Sequence, residues 1–341
     1  AVYGVGNADS RVAAFDTAAA AFVQADAFAR ASGSDEWEVA AAAGAAQAEF
    51  GRAVWGSGSW SQAATLAQAA IDLMPDNQWS NDAIYNTTAD NNIFWNETWG
   101  RAEYNVFRTL AEQLHTQNDD PRTEFKICGD WNDTSGQLTG GVDPRTLTKT
   151  ELDQLVSEGV TPSGACTGEG SGAHQGADGE HAHYKQMIYT ERGSNIPRSS
   201  WDEMKLIQAE AALEAGDIPG FVARINELRT KHSLPLYVEA DVVAATPGDG
   251  LNFPHDLTSM EAIDILDRER YASLWLQGRR LHDMDRWNHP FLDGGDNTYG
   301  PGLGNWVIGG SSFAPRAACM PIARSECLLN ENISGNADVC G

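Results

Sequence analysis

Small residues at helical spacing on both sides of a turn constrain this chain more than any other feature. In AAQAEFGRAVWGSGSWSQAATLAQAAIDLMP (45–75), Ala46 and Phe50 sit four apart and Gly58 marks a turn. Trp60, Ala63, Ala67, Ala70, Ile71 and Leu73 follow before Pro75. Small side chains at that spacing let two antiparallel helices interlock, with Trp60 wedging the start of the second and Pro75 ending it. A second hairpin is predicted in SWDEMKLIQAEAALEAGDIPGFVARINELRTKHSLP (200–235). There Ser200 and Glu203 form a capping box, Ile207, Ala211 and Ala215 line one face, Gly216 and Asp217 turn the chain, and Phe221, Ile225 and Leu228 line the return helix. Ahead of both, Ser10 to Ala31 is an alanine-rich helix with Phe15, Phe22 and Ala29 seven apart.

The first hairpin resembles a tetratricopeptide pair, which places Ala, Gly, an aromatic, Ala and a closing Pro in this order. Irregular sequence separates the two hairpins, so they do not form a contiguous solenoid. The fold expected is mainly α: tetratricopeptide-like hairpins carrying long irregular loops, in one domain spanning 1–341. Its helical scaffold is assigned to 10–75, 101–115 and 200–287, its loop excursions to 76–99 and 116–192, and an irregular tail to 288–341. A short helix from Glu151 to Ser157 interrupts the second excursion, and residues 159–180 are too rich in Gly, Ser and Thr to be anything but loop.

At 341 residues and 42% hydrophobic content the chain has enough apolar material for a sizeable core. With 48 acidic against 23 basic residues, a formal net charge of -25 and no basic run, nucleic acid and anionic lipid surfaces are excluded as partners. No stretch reads as a run of about 18 apolar residues, the length a membrane span requires, and AVYGVGNADS has neither the basic cap nor the apolar block of a secretion signal. The expectation is a soluble chain in mature or trimmed form. The five cysteines show no metal spacing and sit in loops, which suits an oxidising compartment. We pair Cys128 with Cys166 and Cys327 with Cys340, leaving Cys319 free; Cys319 with Cys340 is the alternative.

Five arginines nevertheless crowd into DRERYASLWLQGRRLHDMDRW (267–287). Thr258 and Glu261 read as its capping box, and one helix is expected from Asp264 to Arg286. Five carboxylates accompany the arginines over that range, so the segment is locally neutral. Arg279 with Asp283 and Asp283 with Arg286 have the spacing of ion pairs on one helix face, and Leu266, Leu274, Leu281 and Met284 form an apolar stripe. The structural reading places this helix between the scaffold and its loops, its guanidinium forks fastening loop backbone. The competing reading is an arginine cluster that grips a substrate carboxylate or phosphate.

LIQAEAALEAGD, INELRTKHSLP, ILDRERYASLWLQGRRLHDMDRW and CMPIARSECLLNENI, in that order over about residues 200 to 333, resemble successive C-terminal signatures of the SusD/RagB family of bacterial surface nutrient-binding lipoproteins. Gln277, Ala323 and Glu331 depart from the family pattern without disturbing its helices, and Ala1 stands without the lipid-bearing cysteine. The resemblance implies a SusD-like fold without catalysis, lipid-anchored on the outer face of the outer membrane. It further implies capture of a nutrient, a glycan above all, for a SusC-like TonB-dependent transporter.

Ligand-binding loops carried on such a scaffold should offer aromatic faces for sugar rings and amides for hydroxyls. The segment from Asp76 to Trp99 interleaves these, and Trp79, Tyr85, Asn86, Asn92, Trp95 and Trp99 are its candidate contacts. The alternative is that the aromatics cap the hairpin core and the asparagines make turns. No metal or cofactor is required. His181 and His183 alternate beside His174, and Asp130 and Asn132 sit in an array like a calcium loop. Ser135 stands where that loop needs Gly, and its twelfth-position Glu is missing. No hydrolase, zincin or phosphate-loop motif appears. Two readings compete with nutrient capture: a structural or assembly protein using the helical surface for protein contacts, and a polysaccharide-active enzyme.

Overall fold

The computed structural model describes residues 11–100, 106, 110–127, 184–244, 257–287, 307–308 and 311–312. Three helices open the chain: α1 (Arg11–Ser32), α2 (Asp35–Val54) and α3 (Trp60–Leu73). They pack in sequence, α1 on α2 and α2 on α3. Phe15 and Phe22 explain the first contact. A Cβ at Gly51 would lie 2.2 Å from the Phe15 ring and one at Gly44 would lie 2.1 Å from the Phe22 ring, so each glycine is the seat of an aromatic from α1. Ser59 caps α3, accepting from the Gln62 amide, and the Trp60 ring meets Phe50 edge-on at 5.7 Å.

One expectation needs correction here. Val12–Ser32 is long and apolar enough by composition to cross a membrane, with a mean hydropathy of 1.2. Alanine, which is small but counts as apolar, supplies that value. The helix carries Asp16, whose carboxylate takes the Arg52 guanidinium of α2 at 2.7 Å, and it seats two aromatics on α2.

After a long interval the chain returns to the same stack. A β-strand (β4, Ile196–Ser200) leads into α6 (Trp201–Glu214), then α7 (Ile218–Lys231), α8 (Ala262–Ser273) and α9 (Arg280–Arg286). Ser200 caps α6 by accepting from the Glu203 amide at 3.2 Å, and Gly216, at φ +73°, makes the turn into α7. α6 lies against α3, so the two hairpins are neighbours in space. Their shared layer joins Ala43, Ala46, Ala63, Ala67 and Ala70 to Met204 and Ile207. On its other side α6 forms the larger core with α7 and α8, where Phe221, Ile225, Leu228, Ile263 and Leu266 are fully buried. Between the hairpins lie β1 (Ser80–Ala83), a short α4 (Ile93–Trp95), α5 (Leu110–Asn118), β2 (Phe125–Ile127) and β3 (Tyr184–Gln186). β1 pairs antiparallel with β4, β2 with β3, and two short strands, β5 (Val307–Ile308) and β6 (Ser311–Ser312), pair near the C-terminus. The helix expected from 101 to 115 is described as Leu110–Asn118, while 101–105, 107–109 and the Glu151–Ser157 helix lie outside the described residues.

The single arginine-rich helix is two helices. Leu276 and Gly278 adopt φ of +60° and +78°, a left-handed turn that ends one helix and restarts another at Arg280. The expected Thr258–Glu261 box is replaced by Ser259, whose hydroxyl accepts from the Glu261 amide at 3.3 Å and donates to Asp264 at 2.6 Å. The break also reassigns the ion pairs. Arg279 takes Glu203 at 2.8 Å in place of Asp283, whereas Asp283 takes Arg286 at 2.9 Å and Arg270 at 3.0 Å. Arg286 reaches Glu210, and Arg280 reaches Asp267. Arg268 donates to the Ser259 carbonyl at 2.7 Å. In the adjoining cluster Glu269 holds both Arg122, at 2.7 Å, and Arg229, while Arg122 also takes Asp120 at 2.7 Å.

Burial alone would raise the carboxyls of Glu269, Asp283 and Asp120; the guanidiniums beside them outweigh it and hold all three below the usual carboxylate range. The native state therefore binds protons less readily than the unfolded chain. The stabilisation is complete above about pH 4, where free carboxyls ionise, and is lost as pH falls through the lower native values. Acid also relieves the surface self-repulsion, but that term is screened at ordinary salt over about 8 Å, while buried pairs are not. In urea titrations the unfolding midpoint should hold between about pH 7 and 5 and fall steeply below about pH 4. A midpoint unchanged at about pH 3 would contradict the paired state of these carboxylates.

Candidate functional site

The segment following α3 is bound to β4 at its start. The Trp79 carbonyl accepts from the Trp201 amide at 3.2 Å, and β1 runs beside β4 with Ser80 opposite Ser200 and Ala83 opposite Ile196. A bulge falls between Asn81 and Asp82. Arg198 on β4 clamps the bulge, donating to Asn81 Oδ1 at 3.2 Å and to the Asp82 carbonyl at 2.8 Å. The Arg198 carbonyl in turn accepts from Gln47 Nε2 at 2.8 Å and Arg279 Nη2 at 2.5 Å. Through this relay the arginine-rich segment fastens the strand that carries the loops.

Beyond β1 the loop turns on its asparagines. Asn86 Oδ1 accepts from the amides of Thr88 and Ala89 at 2.9 and 2.8 Å, closing a tight turn. Asn92, wholly buried, caps α4 by accepting from the Trp95 amide at 3.1 Å and donates to the Ser194 carbonyl at 2.7 Å. Its own amide reaches the Arg192 carbonyl at 2.8 Å, and the Tyr85 amide reaches Asn195 Oδ1 at 3.2 Å. Loop 84–93 thus lies against residues 188–196, from a part of the chain about a hundred positions away.

The six candidate contacts divide by exposure. Trp95 and Trp99 are buried at 4% and 6% exposure. The Arg192 guanidinium covers the Trp95 ring at 4.8 Å and Lys185 covers Trp99 at 4.9 Å, while Trp99 Nε1 donates to the Gln186 carbonyl at 3.0 Å. Asn92 is occupied by backbone, while the exposed Asn86 closes its own turn and donates from Nδ2 to Asp90 Oδ2 at 3.2 Å. Trp79 is partly buried, packed against the layer of Ala43, Ala67, Met204 and Ile207, and Tyr85 is half-buried next to the outward-facing Ile84.

Several residues that hold this face escaped the sequence reading because they lie in the excursion assigned to 116–192 or just after it. Gln186 is buried and uses its whole amide: Oε1 accepts from the Ile188 and Tyr189 amides, and Nε2 donates to the Tyr189 carbonyl and Thr98 Oγ1. Tyr189 stacks on Phe94 at 5.8 Å. Burial pushes its phenol far above the ordinary range, and the nearby Asp82 and Tyr85 add to the shift. Tyr189 Oη and Asp82 Oδ1 are both buried with no hydrogen-bond partner. A run of glutamine and tyrosine between turns carries no periodic signal that would mark it.

Cys128, Cys166, Cys327 and Cys340, and the metal candidates Asp130, Asn132, His181 and His183, lie outside the described residues. Among the described residues no group of three or more potential metal ligands comes together.

A stack of helix hairpins with one side built up by pinned loops defines the class: an all-α scaffold protein that presents an irregular face. The SusD family profile matches residues 57–305, and the chain belongs to the SusD family. It is similar to a solved SusD superfamily protein from Parabacteroides distasonis, with 13% identity and a TM-score of 0.47, over 86% of this chain and 61% of that one. A SusD-like protein from Bacteroides fragilis shows 17% identity and a TM-score of 0.40, over 74% and 54% of the two chains. A SusD-like carbohydrate binding protein from Bacteroides vulgatus shows 16% and 0.37, over 87% and 59%. The chain spans less than two thirds of the length of each of these three. No curated protein sequence matches it.

Proposed function

We propose that this protein captures a carbohydrate without chemically altering it, at the face formed by residues 79–94 and 188–196. The observation that carries the reading is that two partly exposed rings, Trp79 and Tyr85, flank the bulged strand β1 on this face. Tyr85 and Asp82 are near enough to Tyr189 to raise its phenol, and Asp82 Oδ1 and Tyr189 Oη are buried without partners, polar atoms of the kind that pair with sugar hydroxyls, one as acceptor and the other as donor or acceptor. Membership of the SusD family supports the same conclusion. Within this reading the protein is anchored at the cell surface by lipid and hands its ligand to a SusC-like TonB-dependent barrel. Co-purification with such a barrel encoded beside it tests that step. Disulfides at Cys128–Cys166 and Cys327–Cys340, and calcium at Asp130 and Asn132, are held as proposals that peptide mapping and elemental analysis decide.

The ligand is to be found on a glycan array and its affinity measured by calorimetry. Trp79→Ala and Tyr85→Ala should each weaken binding by about tenfold or more, the loss expected when a central aromatic contact is removed. Unaltered affinity in both variants would remove the site from this face.

A further inference from the structure

A cleft of about 260 Å3 lies on the scaffold itself, between the α1–α2 pair and the segment running from Arg270 to Arg286. Phe15, Phe50, Val54 and Trp55 form apolar walls, and Arg270, Arg279 and His282 are among the polar groups that line it. The volume sits just below the usual range for small-molecule sites, which starts near about 300 Å3, and suits a ligand of monosaccharide size.

Arg270 sets this cleft apart from the other buried ion pairs. It is 3% exposed, and its Nε donates to Asp283 at 3.0 Å. Its Nη1 is buried and donates to nothing; Glu210 Oε2, the carboxylate oxygen it faces, is 3.6 Å away, beyond hydrogen-bonding range. Arg122 and Arg286, buried to a similar degree, donate from all three nitrogens. The charge of Arg270 is balanced by Asp283 and Glu210, so what it lacks is a directional acceptor, and a buried donor left unused is costly. Phe50 lies beneath both Arg270 and Arg286, at 5.1 and 5.3 Å, which keeps the guanidinium planes in place without satisfying their N–H groups.

We propose that this cleft is a second binding site, for a small organic carboxylate such as a sugar acid, with Arg270 as its buried donor and the aromatic walls holding the ligand body. A guanidinium edge offers parallel N–H groups that match the two oxygens of a carboxylate. The carboxylates lining the cleft do not oppose this. Glu203 already accepts from Gln47 at 2.6 Å and Arg279 at 2.8 Å, and Asp283 accepts from Arg270 and Arg286 at 3.0 Å each. With Glu210 behind Arg270 and Arg286, the three arginines are matched by three carboxylates, so the cleft is locally neutral on a chain whose net charge of -25 repels anions elsewhere.

Calorimetry of the whole protein with D-glucuronate, and with D-glucose as the matched neutral ring, tests the proposal. Glucuronate should bind at least about tenfold more tightly than glucose. Arg270→Lys, which retains the charge and loses the fork, should weaken glucuronate by about tenfold. Val54→Trp, which fills the cleft without touching an ion pair, should do the same in a protein of unchanged circular dichroism, and it serves if the Arg270 variant does not fold. Trp79→Ala should leave glucuronate affinity unchanged, which separates this site from the loop face. Equal affinity for the two sugars, no heat from glucuronate at about 10 mM, or full affinity in Val54→Trp would each overturn the proposal.

Discussion

Replacing Glu269 with alanine is expected to lower the unfolding free energy by about 3–5 kcal/mol, enough to unfold a marginal domain. Glu269 is 1% exposed and is the common acceptor for Arg122 and Arg229. Its removal strips two guanidiniums of a carboxylate at once. Arg122, with a side chain 4% exposed, retains Asp120 and the Ser273 hydroxyl, at 2.7 and 2.9 Å. Arg229 retains the Pro235 carbonyl and the face of Tyr237 at 4.4 Å. The penalty falls mainly on Arg229, left with no carboxylate among the described residues, and because both single changes break the same Arg122–Glu269 pair, Glu269→Ala with Arg122→Met should cost less than the sum of the two. Urea denaturation of the four proteins gives the comparison. A single-variant loss below about 1 kcal/mol would mean that the cluster is solvated in solution and the pairs are weak.

Trp95→Ala should also fail through stability, by about 3–5 kcal/mol, the cost typical of deleting a buried large aromatic. The ring is 4% exposed, in the short helix α4 that Asn92 caps and Arg192 covers. Its loss opens a void beneath loop 84–93 and releases the contact with 188–196. Any drop in ligand affinity should therefore follow the fraction unfolded and vanish at low temperature or with stabilising osmolyte. The losses predicted for Trp79→Ala and Tyr85→Ala should persist there. Calorimetry at two temperatures distinguishes the two cases, and a Trp95 variant with native stability but weakened binding would put that ring in contact with ligand.

The two tryptophans show why a composition-based site reading sorts imperfectly. Aromatic and amide residues alternate from Trp79 to Trp99 in the manner of a sugar-binding loop, and the same alternation builds a loop that covers itself. Which way each ring faces depends on Arg192, Lys185 and Gln186, all supplied from about ninety to a hundred positions later. The arginine-rich segment carries a similar lesson. Spacing alone paired Arg279 with Asp283, because helix geometry was assumed to run unbroken through Gly278. With left-handed φ at Leu276 and Gly278 the helix axis restarts, and Arg279 falls beside Glu203.

By itself the sequence determined the helix hairpins, their turns and the Ser200 cap, because small-residue spacing, capping side chains and glycine turns act within a few positions of one another. It likewise determined that the scarce cations would meet carboxylates, since their number and density leave few other partners in so acidic a chain. Spacing set Asp283 with Arg286, but tertiary structure alone decided the distant carboxylates, with Arg286 and Glu210 separated by 76 positions and Arg122 and Glu269 by 147. It also decided which aromatics stay at the surface. Those outcomes follow from α6 docking on α3 and β4 docking on β1, long-range contacts that no local periodicity encodes.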